Sequence, residues 1–303
     1  MSIVIVNPAS AGGSTGETWP QIASDLRSQF GAFRPIFTKH RGDAAALAAE
    51  AARKGAKFII ACGGDGTVSE VANGILSSDK DVELGILPSG TGGDFRRTLE
   101  IPSQSRAAAR VLNTGRTVRI DVGRVSYIDH NGTEAMRYFV GVASCGMSTK
   151  VIERVKAEKI SFAASLLQTA IRNEPTRLVV QLDDAHDRHL VLLNLCVANA
   201  RYFGGGMKIA PDSKLTDGKF DVVGIGDLSA LKLFTSAPRV YLGSHLSMPE
   251  VSHALARKVT VRPPDRSAEV ALEVDGELPG KLPATFQIIP EALRVRVGHR
   301  LHR

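Results

Sequence analysis

A chain of 303 residues, 43% hydrophobic and 23% charged, has ordinary globular composition and ample length for two cores. A formal charge of +7 and an isoelectric point near 9.4 favour an anionic partner: nucleotide, nucleic acid or acidic membrane. Aromatics at 5% and dispersed basic residues leave little for base stacking, which argues against nucleic acid.

The N-terminus has no basic leader, and no window approaches ~18 uninterrupted apolar residues, so the chain is read as neither secreted nor membrane-spanning. Ile3 to Val6 is a short apolar run that stops at Asn7-Pro8-Ala9-Ser10-Ala11-Gly12-Gly13, a strand followed by a glycine loop. A helix is predicted from Trp19 to Phe30, a strand near Pro35 to Thr38, an alanine-rich helix from Asp43 to about Lys54, and a strand from Lys57 to Cys62. Glu83 to Leu87 is a further apolar run, ending in Pro88-Ser89-Gly90-Thr91-Gly92-Gly93-Asp94-Phe95. Strands alternating with helices imply a parallel sheet, in which ligands bind outside the carboxyl ends of the strands. The three glycine-rich loops are therefore expected on one edge, sharing one ligand.

The central loop follows Phe58-Ile59-Ile60-Ala61-Cys62 and reads Gly63-Gly64-Asp65-Gly66-Thr67-Val68-Ser69-Glu70. Thr67 and Glu70 have capping-box spacing, and Val68, Val71, Ala72, Ile75 and Leu76 recur on one helical face. Glycines that tolerate unusual dihedrals, followed by the amides of a helix N-terminus, suit a polyphosphate. Asp65 is an acid where an anion should bind, which makes sense if a divalent cation or a proton transfer intervenes. On spacing alone, an ordinary strand-to-helix turn is the competing reading. Neither a P-loop nor a Rossmann fingerprint occurs.

From about Thr117 the pattern turns β-rich, with strands expected at Arg177 to Leu182, Leu190 to Ala198, Phe220 to Ile225, Lys258 to Val261, Val270 to Val274 and Thr285 to Ile289. Two helical stretches interrupt them. Ile160 to Ile171 is read as a helix packed on the sandwich or lining an acyl-chain entrance, and Leu228 to Leu242, with Lys232 and Arg239, as a helix able to rest on an anionic bilayer. The domains are placed at 1–119, completed by 290–303, and at 120–289. Cys62, Cys145 and Cys196 sit at unrelated spacings and read as reduced core thiols of a cytoplasmic protein. The eight histidines show no zinc spacing.

Gly63-Gly64-Asp65-Gly66-Thr67 and Gly90-Thr91-Gly92-Gly93-Asp94-Phe95 together resemble the diacylglycerol kinase catalytic-domain family, which includes the sphingosine and ceramide kinases. Asn7-Pro8, Thr38 with Gly42-Asp43-Ala44, Ile120-Asp121-Val122-Gly123, the run from Gly204 to Asp212, Thr216-Asp217-Gly218 and Asp275-Gly276-Glu277 extend the resemblance over nearly the whole chain. It implies an N-terminal α/β nucleotide domain and a C-terminal β-sandwich, the NAD-kinase/diacylglycerol-kinase-like fold, with ATP and magnesium in the cleft between them. By the same resemblance Asn7, Thr38, Gly63, Gly64, Gly66, Thr67, Glu70 and Thr91 are nucleotide contacts, and Asp65 is the acid coupled to the catalytic magnesium. Asp121 is a second acid of that network. Asp217 is the side-chain ligand of a structural magnesium, with the carbonyls of Lys214 and Lys219, and Glu277 is the general base. The family usually has Asn at the position of Gly93 and Ala at that of Arg96, which makes this loop more flexible and more basic.

The function expected is ATP- and magnesium-dependent phosphorylation of a lipid hydroxyl, diacylglycerol first, by an enzyme that visits the inner face of an anionic membrane transiently. A carboxylate base contributes ~10² to 10⁴-fold to such a transfer, and the remainder is positioning and charge neutralisation. Alternatives are a sphingoid base, ceramide, phosphatidylglycerol or soluble NAD as acceptor, or a nucleotide-binding regulator without turnover. A homodimer is an analogy with other family members.

Overall fold

The structure is a computed structural model and describes residues 2–89, 92–158, 175–265 and 267–299. The chain divides into two compact units, Met1–Val122 with Pro290–Arg303, and Gly123–Ile289.

The first unit contains β1 (Ser2–Val6), α1 (Ser14–Phe30), β2 (Phe33–Phe37), α2 (Asp43–Arg53), β3 (Phe58–Gly63), α3 (Asp65–Leu76), β4 (Glu83–Pro88), α4 (Asp94–Thr98) and α5 (Ser105–Thr114). Its sheet runs in the order β2, β1, β3, β4 and then the last residues of a long strand from Glu277 to Val297, every pairing being parallel. Val4, Ile5, Val6, Ile59, Ile60, Ala61, Leu84 and Leu87 have no solvent exposure, so these strands read as continuous apolar runs because the sheet is covered on both faces. Helices α2 and α3 approach so closely that a Cβ on Gly74 would lie 2.2 Å from the carbonyl oxygen of Ala45, which is why an alanine-rich face meets a glycine there. The helix predicted from Trp19 begins earlier, at Ser14, after a left-handed Gly13 at φ 98°, and carries Pro20 within it.

The strand β5 (Arg116–Asp129) leads into the second unit, which holds β6 (Glu134–Phe139), β7 (Val142–Gly146), α6 (Met147–Glu158), β8 (Thr176–Leu182), β9 (Arg188–Leu192), β10 (Asn194–Ala198), β11 (Phe220–Ile225), α7 (Ala230–Leu242), β12 (Val251–Ala256), β13 (Lys258–Arg262), β14 (Ala271–Val274) and the first part of β15 (Glu277–Val297). One antiparallel row is β12, β11, β10, β7, β14, β15; β9, β8 and β13 form another that also meets β15. Between the rows lies a core in which Phe139 stacks on Phe220 with centroids 5.6 Å apart and meets Phe286 edge-on at 6.2 Å. The run Leu190 to Ala198, expected as one strand, is two: β9 pairs β8, β10 pairs β7 and β11, and the chain changes row at Leu193. An unbroken apolar run hides such a step because Leu190, Val191 and Leu192 before it are as apolar as Leu195, Cys196 and Val197 after it, although Val191 is exposed. The predicted segment Ile160 to Ile171 lies outside the described residues. The three cysteines are buried, and burial pushes the Cys62 and Cys145 thiols up to about 12.

Candidate functional site

Strand register brings the loop starts together. Val6 lies beside Phe37 and Cys62, and Gly63 beside Pro88, so Asn7, Thr38, Gly64 and Ser89 all leave the same edge of the first sheet. The strand order reverses between β1 and β3, and the crevice at such a reversal is where open parallel sheets bind ligands. Backbone bonds extend the ladder past the strand ends: Asn7 N donates to Cys62 O at 3.0 Å, Thr38 N to Val6 O at 2.9 Å and Ser89 N to Gly63 O at 3.0 Å. Thr91 lies outside the described residues.

The side chains of the central stretch brace these loops. Thr67 Oγ1 accepts from Asn7 Nδ2 at 3.0 Å, and Asn7 Oδ1 accepts from its own loop at Ala9 N, 3.1 Å away. Glu70 reaches the second loop, Oε1 accepting from Gly42 N at 3.0 Å and Oε2 from Ala44 N at 3.2 Å, which caps α2. The capping box expected of Thr67 and Glu70 is therefore corrected: α3 starts at Asp65 after Gly64 with no side-chain cap, and both residues lie inside it. Asp65 reaches the third loop, with Oδ2 accepting from Gly93 N at 2.8 Å and Asp94 N at 3.0 Å, and Oδ1 from Phe95 N at 3.1 Å. Its carboxylate is thus the anion that holds the first turn of α4. A hydroxyl chain that no spacing announces, Ser10 to Thr15 to Ser89 with both separations 2.6 Å, ties the first loop to the third.

The glycines act differently from expectation. None of Gly63, Gly64 and Gly66 has a positive φ. Gly63 is required because a Cβ would fall 2.4 Å from Thr67 Oγ1, whereas Gly64 and Gly66 face open space. Their backbone is thus uncovered beside the first-turn amides of α3, which have no intrahelical acceptor and favour an anion.

Gly93 and Arg96, the two departures from the family pattern, are one arrangement. Gly93 adopts φ 73°, a left-handed conformation that Asn also tolerates, but a Cβ there would lie 2.5 Å from Arg96 Nε and 3.1 Å from its Cγ and Cδ. Arg96 crosses the bare Cα and donates from Nη1 to Ile101 O at 3.3 Å. Gly93→Asn alone is expected to cost about 1 kcal/mol through loss of that bond, and adding Arg96→Ala should recover most of it. Denaturant unfolding of the four members of the cycle checks this, and simple additivity would refute it.

Asp121 is not brought to Asp65. It is 1% exposed, and its Oδ1 accepts from Glu291 N at 2.9 Å. Arg294 pairs in parallel with Glu83 at the start of β4, so Glu291 precedes the sheet's amino edge, while Asp65 and its amide donors stand past the carboxyl edge. The bond to Glu291 fastens the strand that re-enters the first unit. Arg119, bonded to Asp81 and to Glu291 O, reinforces the same corner.

In the second unit, Asp275 and Gly276 form the two-residue turn between β14 and β15, at φ 49° and 80°, so that Val274 pairs with Glu277. Asp275 accepts from Val140 N at 3.1 Å and Gly141 N at 2.9 Å, and a Cβ on Gly141 would come within 2.7 Å of its Oδ1. The aspartate thereby fixes the turn that presents Glu277. Glu277 is half-buried, with Oε2 3.3 Å from Arg137 Nη1. Sequence reading missed Arg137, which stands 140 positions away, and Tyr127, diagonal to it across the pairing of β5 with β6. Burial raises the Tyr127 phenol's pKa against the opposing pull of Arg137, with Asp129 and Glu277 adding to the rise.

Lys214, Asp217 and Lys219 share the turn before β11, closed by Lys219 N donating to Asp217 Oδ1 at 3.0 Å with Gly218 at φ 70°. Among the described residues no three His, Cys, Asp or Glu side chains gather to hold a metal. One carboxylate and two carbonyls are nonetheless the hard oxygen donors that magnesium takes, with water completing the shell. The same unit contains an apolar cavity of about 70 Å³ whose wall includes Met147, Val151, Leu233, Val240, Met248 and Val251. Of the polar side chains at its wall, Ser148 Oγ donates to Asn194 Oδ1 at 2.8 Å, and His245, its pKa lowered by burial, pairs through Nε2 with Ile209 O at 3.0 Å while its buried Nδ1 has no hydrogen-bond partner.

Comparison with known proteins bears on both units. The diacylglycerol kinase catalytic domain matches residues 1–125, and the YegS C-terminal NAD kinase beta sandwich-like domain matches residues 141–297. The chain is 30% identical over 292 residues to a diacylglycerol kinase of Staphylococcus haemolyticus (strain JCSC1435), covering 93% of this chain and 84% of that one. It is 31% identical over 275 residues to a diacylglycerol kinase of Mycobacterium tuberculosis (strain ATCC 25618 / H37Rv), covering 85% and 86%. A solved diacylglycerol kinase from Bacillus anthracis str. Sterne superposes with a TM-score of 0.73 at 21% identity over 99% of this chain and 98% of that one, a likeness of fold alone.

Proposed function

Because the chain belongs to the diacylglycerol kinase catalytic family, we propose that it transfers the γ-phosphate of ATP to a lipid hydroxyl, diacylglycerol being the favoured acceptor and phosphatidic acid the product. The apolar cavity carries the choice of a lipid acceptor. A soluble acceptor such as NAD needs charged and hydrogen-bonding walls, whereas this cavity is lined mainly by hydrocarbon.

The chain's residues divide the work. The uncovered backbone at Gly64 and Gly66 and the first turn of α3 receive the phosphates. Asn7, Thr67 and Glu70 keep the loops around them in place, and Asp65 holds the third loop. Glu277, aimed by the Asp275-Gly276 turn and steadied by Arg137, takes the proton from the attacking hydroxyl. Magnesium, when bound, spreads the negative charge that develops on the phosphates, and the turn at Asp217 is the candidate for a second, structural ion.

The test is transfer of labelled γ-phosphate from ATP, with and without magnesium, to diacylglycerol, sphingosine, ceramide and phosphatidylglycerol in mixed micelles, and to NAD in solution. Label on diacylglycerol, absent with Glu277→Gln, is the expected result. Label on NAD alone would transfer the chain to the soluble branch, and ATP binding without transfer to any acceptor would make it a regulator.

A further inference from the structure

Helix α7 is apolar on two opposite sides. Leu233, Ser236, Ala237 and Val240 face the cavity. Leu231 at 74% exposure, Phe234 at 60%, Tyr241 at 41% and Leu242 at 74% face outward. Helical spacing joins these four into one stripe, with exposed Pro238 between Phe234 and Tyr241. A helix at the surface of a globular protein ordinarily turns a polar face to water, and one that is apolar all round has a second apolar environment to enter. Half of the large exposed hydrophobic side chains among the described residues are on this one helix.

The charges beside the stripe select that environment. Lys232 and Arg239 lie two turns apart along one flank. Lys208 sits beside the helix's carboxyl end, where its N–H donates to Val240 O at 3.0 Å and its ammonium lies 5.9 Å from the Tyr202 ring centroid. Lys232 is engaged by Glu250, an exposed pair whose hold is weak and screened by salt, so Arg239 and Lys208 are the cations in position to meet phosphates. Leu and Phe in a stripe with flanking Lys and Arg match the chemistry of an anionic bilayer surface.

Building on the lipid-kinase reading, we propose that α7 is the element that docks this protein on an anionic membrane. Leu231, Phe234, Tyr241 and Leu242 enter the acyl boundary, Arg239 and Lys208 meet the headgroups, and the cavity under the same helix receives the acyl chain of the acceptor. A lipid then passes from bilayer to cavity around a single helix without crossing water.

The experiment compares wild type with the double variant Leu231→Asp, Phe234→Asp, whose side chains point away from the cavity. Sedimentation with vesicles of phosphatidylcholine and phosphatidylglycerol in equal parts should show about a hundred-fold weaker binding by the variant, and wild-type binding that falls with salt. Turnover of long-chain diacylglycerol in vesicles should fall in step, while turnover of a monomeric short-chain diacylglycerol stays unchanged. Equal vesicle binding by the two proteins overturns the proposal. So does a wild-type dimer that light scattering shows to become a monomer in the variant with vesicle binding intact, since the stripe then covers a second copy. Stripe-dependent vesicle binding by a wild type that phosphorylates no lipid upholds the docking surface and removes the lipid-kinase reading.

Discussion

Glu277→Gln should lower kcat for lipid phosphorylation by ~10² to 10⁴-fold while leaving KM for ATP and the fold nearly unchanged. The substitution keeps the side chain's shape and one oxygen able to accept from Arg137 Nη1, now 3.3 Å from Oε2. The Asp275-Gly276 turn that presents it is held independently by the amides of Val140 and Gly141. What disappears is the lone-pair basicity needed to take a proton from the acceptor hydroxyl. The stability cost is that of weakening a charge-assisted bond between two mostly buried groups, about 1 to 2 kcal/mol, which is separable from the kinetic effect by a denaturant midpoint. Arg137→Lys supplies the contrast. It keeps the positive charge but loses the planar fork, so it should lower the rate less than Glu277→Gln does. Full turnover by Glu277→Gln would mean that another group takes the proton.

What could be read from the chain and what could not follow from the range of the forces involved. Each apolar run ending at a glycine loop encodes a strand terminus locally, so Asn7, Gly64 and Ser89 were legible as one edge before any register was known. The tight turn at Asp275-Gly276 is equally local, since two residues at positive φ between paired strands need only their own dihedrals. The purposes of the acids were not legible. Asp65 serves amides 28 to 30 positions later, and Glu70 serves amides 26 to 28 positions earlier. Their donors arrive through sheet register and carry no mark in side-chain spacing. The place of Asp121 is hidden for the complementary reason. A motif places it in sequence between the units, but the parallel pairing of Arg294 with Glu83 decides which edge of the sheet it occupies. The cavity is legible only in pieces, because Met147, Leu233 and Val251 come from three separate elements.

Asp65→Ala should destabilise the first unit and cut transfer together, and Asp65→Asn should separate the two effects. Removing the carboxylate leaves the amides of Gly93, Asp94 and Phe95 without their acceptor. Charged acceptors make amide bonds worth roughly 1.5 to 3 kcal/mol each, and water reaching this half-buried site restores part of that, so a net loss of about 3 kcal/mol is expected for the alanine. If the misplaced loop costs the transition state the same amount, the rate falls about 10²-fold. Asn can keep an oxygen where Oδ2 accepts from Gly93 and Asp94, turning its NH₂ toward Phe95, so it retains two of the three bonds without charge assistance. Its stability should therefore lie between wild type and alanine. The rate of Asp65→Asn decides what else the carboxylate does. A rate that follows stability, intermediate like the unfolding midpoint, makes loop bracing its whole contribution. A rate as low as that of the alanine, despite the recovered stability, requires the negative charge itself, which is the requirement of a group facing the cation that accompanies ATP. Measuring both variants at saturating and at limiting magnesium distinguishes the two cases, since only a cation-facing carboxylate shifts the magnesium concentration giving half-maximal rate.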